Sequence, residues 1–214
     1  YKVTREYYYN DAGKQMRTLG KSVEARYLEL LEKSFEFPED GYQGDYIIEI
    51  AKEIIKNDGK DLLENDAQFL SSAEKIIFGQ IKNSLNSLGI QFDIFSNEKS
   101  FYDSGAIKQL LSQLKDQGLI YEDGGATWFK ATELGAKQDK VYIKSSGEPT
   151  YRLPDTAYHK DKINRNFDLI IDVFGADHTD TYPDVLSALK ALNLDTDHIK
   201  ILIYQFVTLI KNGE

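Results

Sequence analysis

No cysteine occurs among the 214 residues. That excludes a disulfide framework, a thiolate nucleophile and a cysteine-ligated zinc site, and it fits a reducing compartment. Positive charge is also scarce: 26 Lys and Arg stand against 35 Asp and Glu, a formal net charge of -9. Such a balance gives no bulk electrostatic surface for nucleic acid. The deficit is uneven, because residues 1–34 hold seven basic and five acidic side chains and the acidic excess lies in the remainder. Long apolar runs are missing; none approaches the ~20 residues of a membrane-spanning helix, so no membrane partner is expected. The only histidines, His159, His178 and His198, are too dispersed for a metal site or a Ser–His triad. No glycine-rich loop ending in Gly-Lys-Ser or Gly-Lys-Thr is present, which argues against a P-loop nucleotide enzyme.

What is present is ordinary globular material, 41% hydrophobic and 29% charged, long enough for one sizeable core or for a core with an inserted subdomain. Residues 3–9 are β-branched and aromatic and read as a strand. Met16, Leu19, Val23, Tyr27, Leu30 and Leu31 then recur near a 3.6 period and predict a helix. A loop at 36–44, with Pro38 and Gly41, precedes two more helical patterns at 46–55 and 67–88. Further on come a short strand at 91–95 and a helix at 104–117. Residues 119–129 read as a hairpin around Gly124 and Gly125, and residues 141–152 as a second hairpin. Strand, helix and strand alternate from 167 to the end, as in a βαβ unit. The middle of the chain interrupts that alternation.

Residues 150–180 carry the chemistry. Tyr151 and Asp155 stand four apart at a helix start, with Pro154 in its first turn. A carboxylate that forks to a guanidinium, beside an aromatic ring, makes a clamp for a cationic small molecule. The same spacing also describes a plain helix start, where Asp155 merely favours the dipole. A nearly continuous apolar strand at 167–174 follows, interrupted by Asp168 and Asp172, and fits a buried parallel strand. Gly175, Ala176, Asp177 and His178 succeed it at the carboxyl end, where open α/β sheets bind ligands. There a glycine permits close approach, and Asp177 could bond a ribose hydroxyl or the substrate. A strand-to-helix turn capped by Asp177 or Asp180 accounts for the same residues. Asn10 and Gln15 flank a turn into the first helix, which Asn10 or Asp11 could cap; it reads either as a polar-ligand site or as a capped helix. For His159 a hydrogen-bonded structural role is expected.

Five stretches also share a family pattern. Arg5, Glu6, Tyr7, Tyr8, Tyr9, Asn10, Asp11, Ala12 and Gly13 come first, and Tyr42, Gly44, Tyr46 and Ile47 second. Phe101, Tyr102, Asp103, Ser104 and Gly105 follow, then Asp123, Gly124, Gly125, Ala126, Thr127, Trp128, Phe129 and Lys130. Tyr151 and Asp155 with Gly175, Ala176, Asp177 and His178 complete the set. In that order they resemble the catalytic domain of bacterial arginyl-tRNA synthetase, a class I aminoacyl-tRNA synthetase.

The resemblance implies an α/β fold, a Rossmann-like parallel sheet with an inserted α+β subdomain. Residues 1–41 and 141–214 would form the two parts of the catalytic domain, and 42–140 the insertion. It implies an arginine–tRNA ligase that activates L-arginine with ATP and transfers it to tRNA. Tyr151, Asp155 and Asp177 are then expected to bind arginine. Gly175, Asp177, His178, Gln205 and Val207 are expected to line the ATP site, and Asn10 and Gln15 the cleft. Mg2+ would accompany ATP, with no metal ligands in the chain, and the parent enzyme would be a cytoplasmic monomer. The family's two signature motifs, of His-Ile-Gly-His and Lys-Met-Ser-Lys type, would lie outside these residues. This stretch is therefore expected to be the middle of a larger enzyme, inactive alone, that meets tRNA mainly through other parts.

The pattern departs from the family after His178, where Thr179, Asp180, Thr181, Tyr182 and Asp184 stand. That keeps open a class I synthetase with altered amino-acid choice. A non-enzymatic module that binds arginine or a nucleotide is the other alternative.

Overall fold

The computed structural model describes residues 1–11, 13–62, 66–206, 208 and 210. Two compact units form, Tyr1–Lys99 and Ser100–Glu214.

In the first unit, β1 (Glu6–Tyr9) is followed by α1 (Lys14–Leu30), α2 (Asp45–Asp58) and α3 (Asp66–Ser87). Leu19, Val23 and Tyr27 on α1 meet Ile47, Ile50 and Ile54 on α2 and Phe69 and Ala73 on α3 in one buried cluster. Spacings of three and four put each set on one helical face, which is why the sequence periodicity located these helices. The Tyr27 ring packs edge-on against Phe69 at 5.0 Å. Its hydroxyl donates to the Gly59 carbonyl at 3.0 Å and accepts the Leu62 N–H at 3.2 Å. Tyr27→Phe strips both bonds from a fully buried site. It is expected to cost about 1–2 kcal/mol, read as a lower urea midpoint at unchanged m-value.

β2 (Ile94–Asn97) pairs in parallel with β1, Glu6 opposite Ile94 and Tyr9 opposite Asn97. This strand begins three residues later than its apolar pattern suggests. The Asp93 carboxylate accepts the Arg5 N–H at 2.7 Å and so anchors the register, while Phe92 packs edge-on against Tyr7. Neither Asn10 nor Asp11 caps α1, whose N-cap is Gly13 at φ 87. Buried Asp11 instead accepts the Lys99 N–H at 2.8 Å, at the start of α4 (Glu98–Asp103). It therefore caps a helix 88 residues away, one that the sequence reading did not find. Gly105, left-handed at φ 78, separates α4 from α5 (Ala106–Asp116).

In the second unit, β3 (Ile120–Asp123), β4 (Ala126–Phe129) and β5 (Lys140–Ile143) form an antiparallel sheet in that order. Gly124 and Gly125 both have positive φ, 56 and 76, as a two-residue hairpin turn requires. The second expected hairpin shrinks to a bridge between Ile143 and Pro149. Pro149 has no N–H to extend a ladder, and β5 pairs with β4 instead. There the fully buried rings of Phe129 and Tyr142 stack at 5.0 Å.

α6 (Arg152–Asn164), β6 (Ile170–Gly175), a 3-10 turn (Ala176–His178), α7 (Tyr182–Ala191) and β7 (Ile199–Tyr204) complete the unit. β6 and β7 run parallel, in register from Ile170 opposite Ile199 to Gly175 opposite Tyr204. Ile170 and Ile199 are buried, as are Leu153, Ala157, Val185, Ala188 and Leu189 on α6 and α7. The strand is not buried on both faces, as its composition suggested. Leu169, Ile171, Val173, Leu202 and Tyr204 are exposed, since alternate residues of a strand point to opposite faces.

Candidate functional site

The site is built where α6 begins and β6 ends. Tyr151 is the N-cap of α6 and is exposed, and its carbonyl accepts the Asp155 N–H at 3.1 Å. Asp155, one turn on, is partly buried. Burial pushes its carboxyl up, against the opposing charges of His159, His178 and Lys162, while Asp172 adds to the rise. Its carboxylate accepts no hydrogen bond among the described residues. Its oxygens are not among the fully buried side-chain atoms that lack a partner, so they reach the surface, where a ligand can meet them.

Beneath it lies a network that the sequence reading missed. His159 is 3% exposed and Lys162 4%. The His159 Nδ1 donates to the Asp155 carbonyl at 2.8 Å, and its Nε2 faces the Asp172 carboxylate at 3.1 Å. Lys162 Nζ bonds the other Asp172 oxygen and lies over the Tyr158 ring at 4.5 Å. Burial raises the Asp172 carboxyl, but the hydrogen bonds and charges of His159 and Lys162 outweigh it and hold it at about 2. One signal was available in the sequence: a lone charge inside an apolar strand needs a buried partner. The expected structural role of His159 matches what the ring does here.

At the end of β6, Phe174 stacks on His178 at 4.9 Å. Gly175 closely faces its own turn, since a Cβ there would lie 2.5 Å from Asp177 Oδ1. Its φ of -67 and ψ of 162 suit any residue, so only that side chain excludes a larger one. Gly175→Ala is therefore expected to swing the Asp177 carboxylate aside at a stability cost below about 1 kcal/mol. A crystal structure of the variant, or the carboxyl carbon shift of Asp177, would read the displacement. Gln205 is exposed just past β7, the parallel neighbour of β6. The second unit thus brings Asp155 and His178 within electrostatic reach and sets Gly175 and Gln205 at the ends of adjacent strands. Val207 lies outside the described residues. Asn10 and Gln15 are exposed in the unit Tyr1–Lys99.

The residues that departed from the family pattern also find places. Asp184 is buried; it accepts Arg152 Nε at 2.7 Å and lies 3.5 Å from Lys140 Nζ. It ties α7 to α6 and β5 as an internal ion pair. Thr179 Oγ1 donates to the Ala176 carbonyl at 2.7 Å and closes the 3-10 turn. Among the described residues no group of three or more His, Cys, Asp or Glu could hold a metal ion. No described helix is long and apolar enough to cross a membrane.

Parallel strands joined through helices, with polar groups at a strand's carboxyl end, make an α/β fold of the kind that binds ligands at that edge. Arginyl-tRNA synthetase structures from Plasmodium falciparum and Thermus thermophilus share this fold. Their TM-scores are 0.68 and 0.61 at 19% and 16% identity, over 95% of this chain and 36% and 42% of theirs. The family model of tRNA synthetases class I (R), catalytic domain, matches residues 1–213, and the chain belongs to that family.

The arginine–tRNA ligase of Desulfotalea psychrophila is 53% identical over 214 residues, 99% of this chain and 39% of the relative. That of Salinibacter ruber is 49% identical over 232 residues, 100% of this chain and 41% of the relative. A Campylobacter jejuni structure described as an arginyl tRNA synthetase superposes with a TM-score of 0.87 at 35% identity, over 100% of this chain and 48% of its own. The chain thus spans about 40% of the curated relatives' length.

Proposed function

We propose that this chain carries the arginine pocket and part of the ATP site of an arginine–tRNA ligase. The reaction joins L-arginine to ATP, giving arginyl-adenylate and pyrophosphate, and then moves arginine to tRNA. The Asp155 carboxylate carries this reading: it is partly buried, lacks a hydrogen-bond donor among the described residues, and stands one turn from exposed Tyr151. A guanidinium supplies two parallel N–H donors to such a carboxylate, and the Tyr151 ring can lie against its face.

Asp177 serves the substrate or the ATP ribose. Gly175, His178 and Gln205 line the nucleotide side. In the first step an arginine carboxylate oxygen attacks the α-phosphorus, and the bond to pyrophosphate breaks. The residues named here contribute alignment, which can supply about 7–11 kcal/mol of a barrier when reacting atoms are held in line. Mg2+ arrives with the ATP phosphates. The parent enzyme is read as a cytoplasmic monomer. Residues 1–41 and 141–214 are read as the catalytic parts and 42–140 as the insertion. The antiparallel strands β3 and β4 favour that division, whereas α2, α3 and β2 pack with α1 and β1 in the unit Tyr1–Lys99 and run across it.

Altered amino-acid choice loses one of its grounds, because Asp184 is committed to Arg152 and Lys140. Calorimetric titration with L-arginine, L-lysine and L-citrulline tests the proposal. Lysine has the charge without the fork, and citrulline has the shape without the charge. Arginine is expected to bind at least about tenfold more tightly than either; equal binding of lysine would sink the reading.

A further inference from the structure

We propose that His159 is a positioning residue for the arginine clamp: its single ring ties the first turn of α6 to β6 and so fixes Asp155 against the strand end that bears Asp177 and His178. This rests on the reading of Asp155 as the guanidinium partner.

A carbonyl only accepts, so Nδ1 donates to the Asp155 main chain at 2.8 Å, and the Asp172 carboxylate accepts from Nε2 at 3.1 Å. One side chain thus grips the clamp residue's own backbone on one side and the strand on the other. Lys162 holds the second Asp172 oxygen, so that carboxylate cannot turn away. The His159 ring also lies 6.3 Å from Phe174, whose other contact is the stacked His178 ring. The helix start and the strand end are therefore registered to each other through a buried imidazole, 3% exposed, with Lys162 as a second tie from α6 to Asp172. A helix N-terminus held only by its own backbone frays. Here the first turn is pinned four residues on, which pre-organises Asp155 before any ligand arrives. The charged groups facing Asp155 are His159 and Lys162 on α6, Asp172 on β6 and His178 on the turn.

Two amide substitutions divide the ring. His159→Asn keeps a donor near the Nδ1 position, and His159→Gln keeps one near Nε2; each retains one tie and breaks the other. Both are compared with wild type by arginine titration, thermal melting, and the carbonyl and carboxyl carbon signals of Asp155 followed through a pH titration. Each variant is expected to bind arginine about tenfold more weakly, the equivalent of one lost hydrogen bond of alignment. The Asp155 carboxyl should titrate higher, and His159→Gln alone should shift the Asp155 carbonyl signal. Variants that melt lower but keep wild-type arginine affinity and an unchanged Asp155 carbonyl signal would overturn the proposal and leave a merely structural histidine. If wild type itself fails to bind arginine, the function proposed above fails instead. The Asp155 carbonyl signal then decides the positioning role alone: a shift in His159→Gln with none in His159→Asn upholds it, and constancy in both overturns it.

Discussion

Asp172→Ala is expected to destabilise the protein by about 3–5 kcal/mol. The substitution leaves the Lys162 ammonium, 4% exposed, without its carboxylate, and the His159 ring without the acceptor at 3.1 Å. The cost comes from stranding a buried charge more than from the attraction that is lost. A double variant, Asp172→Leu with Lys162→Met, removes both charges and is expected to recover much of the stability. Urea unfolding of the three proteins measures this. A loss below about 1 kcal/mol in the single variant would mean that water reaches the pair, as for an exposed one.

The same pair sets an acid limit. The Asp172 carboxyl is held at about 2 in the folded protein, against about 3.9 for an unfolded chain. The unfolded chain binds the proton more readily, so the contribution is present above about pH 4 and is lost as pH falls toward 2. Unfolding free energy measured between pH 5 and pH 2 should fall less in Asp172→Asn than in wild type.

Asp155→Asn is expected to lower arginine affinity by about 10²–10³-fold. The amide keeps the shape but offers one acceptor and no charge, so the bidentate fork is gone. Asparagine also removes a partly buried acid whose carboxyl is pushed up chiefly by that burial. A folded-state value above the unfolded one means that stability falls as pH rises through that window. The ligand-free variant is therefore expected to melt slightly higher than wild type near neutrality, while it binds worse. Wild-type arginine affinity should climb as pH rises and Asp155 ionises, and the variant's should stay flat. Calorimetry from the ordinary carboxylate value of about pH 4 upward reads both slopes; a variant that follows the wild-type curve would remove Asp155 from the pocket.

The sequence by itself located every helix whose buried face repeats at three and four residues, as Leu19, Val23 and Tyr27 do on α1. It located the glycine hairpin, because two consecutive positive-φ positions demand glycine. It also singled out Tyr151, Asp155, Gly175 and Asp177, whose spacing is local and whose order matches the family. Those features are decided within a few residues of chain.

The tertiary structure alone decided what joins distant residues. Asp11 looked like a local cap and instead serves Lys99. Asp184 looked like a change in the pocket and is an ion pair with Arg152 and Lys140. Asp172 looked like an interruption of a strand and is the buried hub for His159 and Lys162. A charged side chain is satisfied by whichever opposite charge the fold brings within about 3 Å. Sequence spacing carries no record of that distance once the partners lie on different elements.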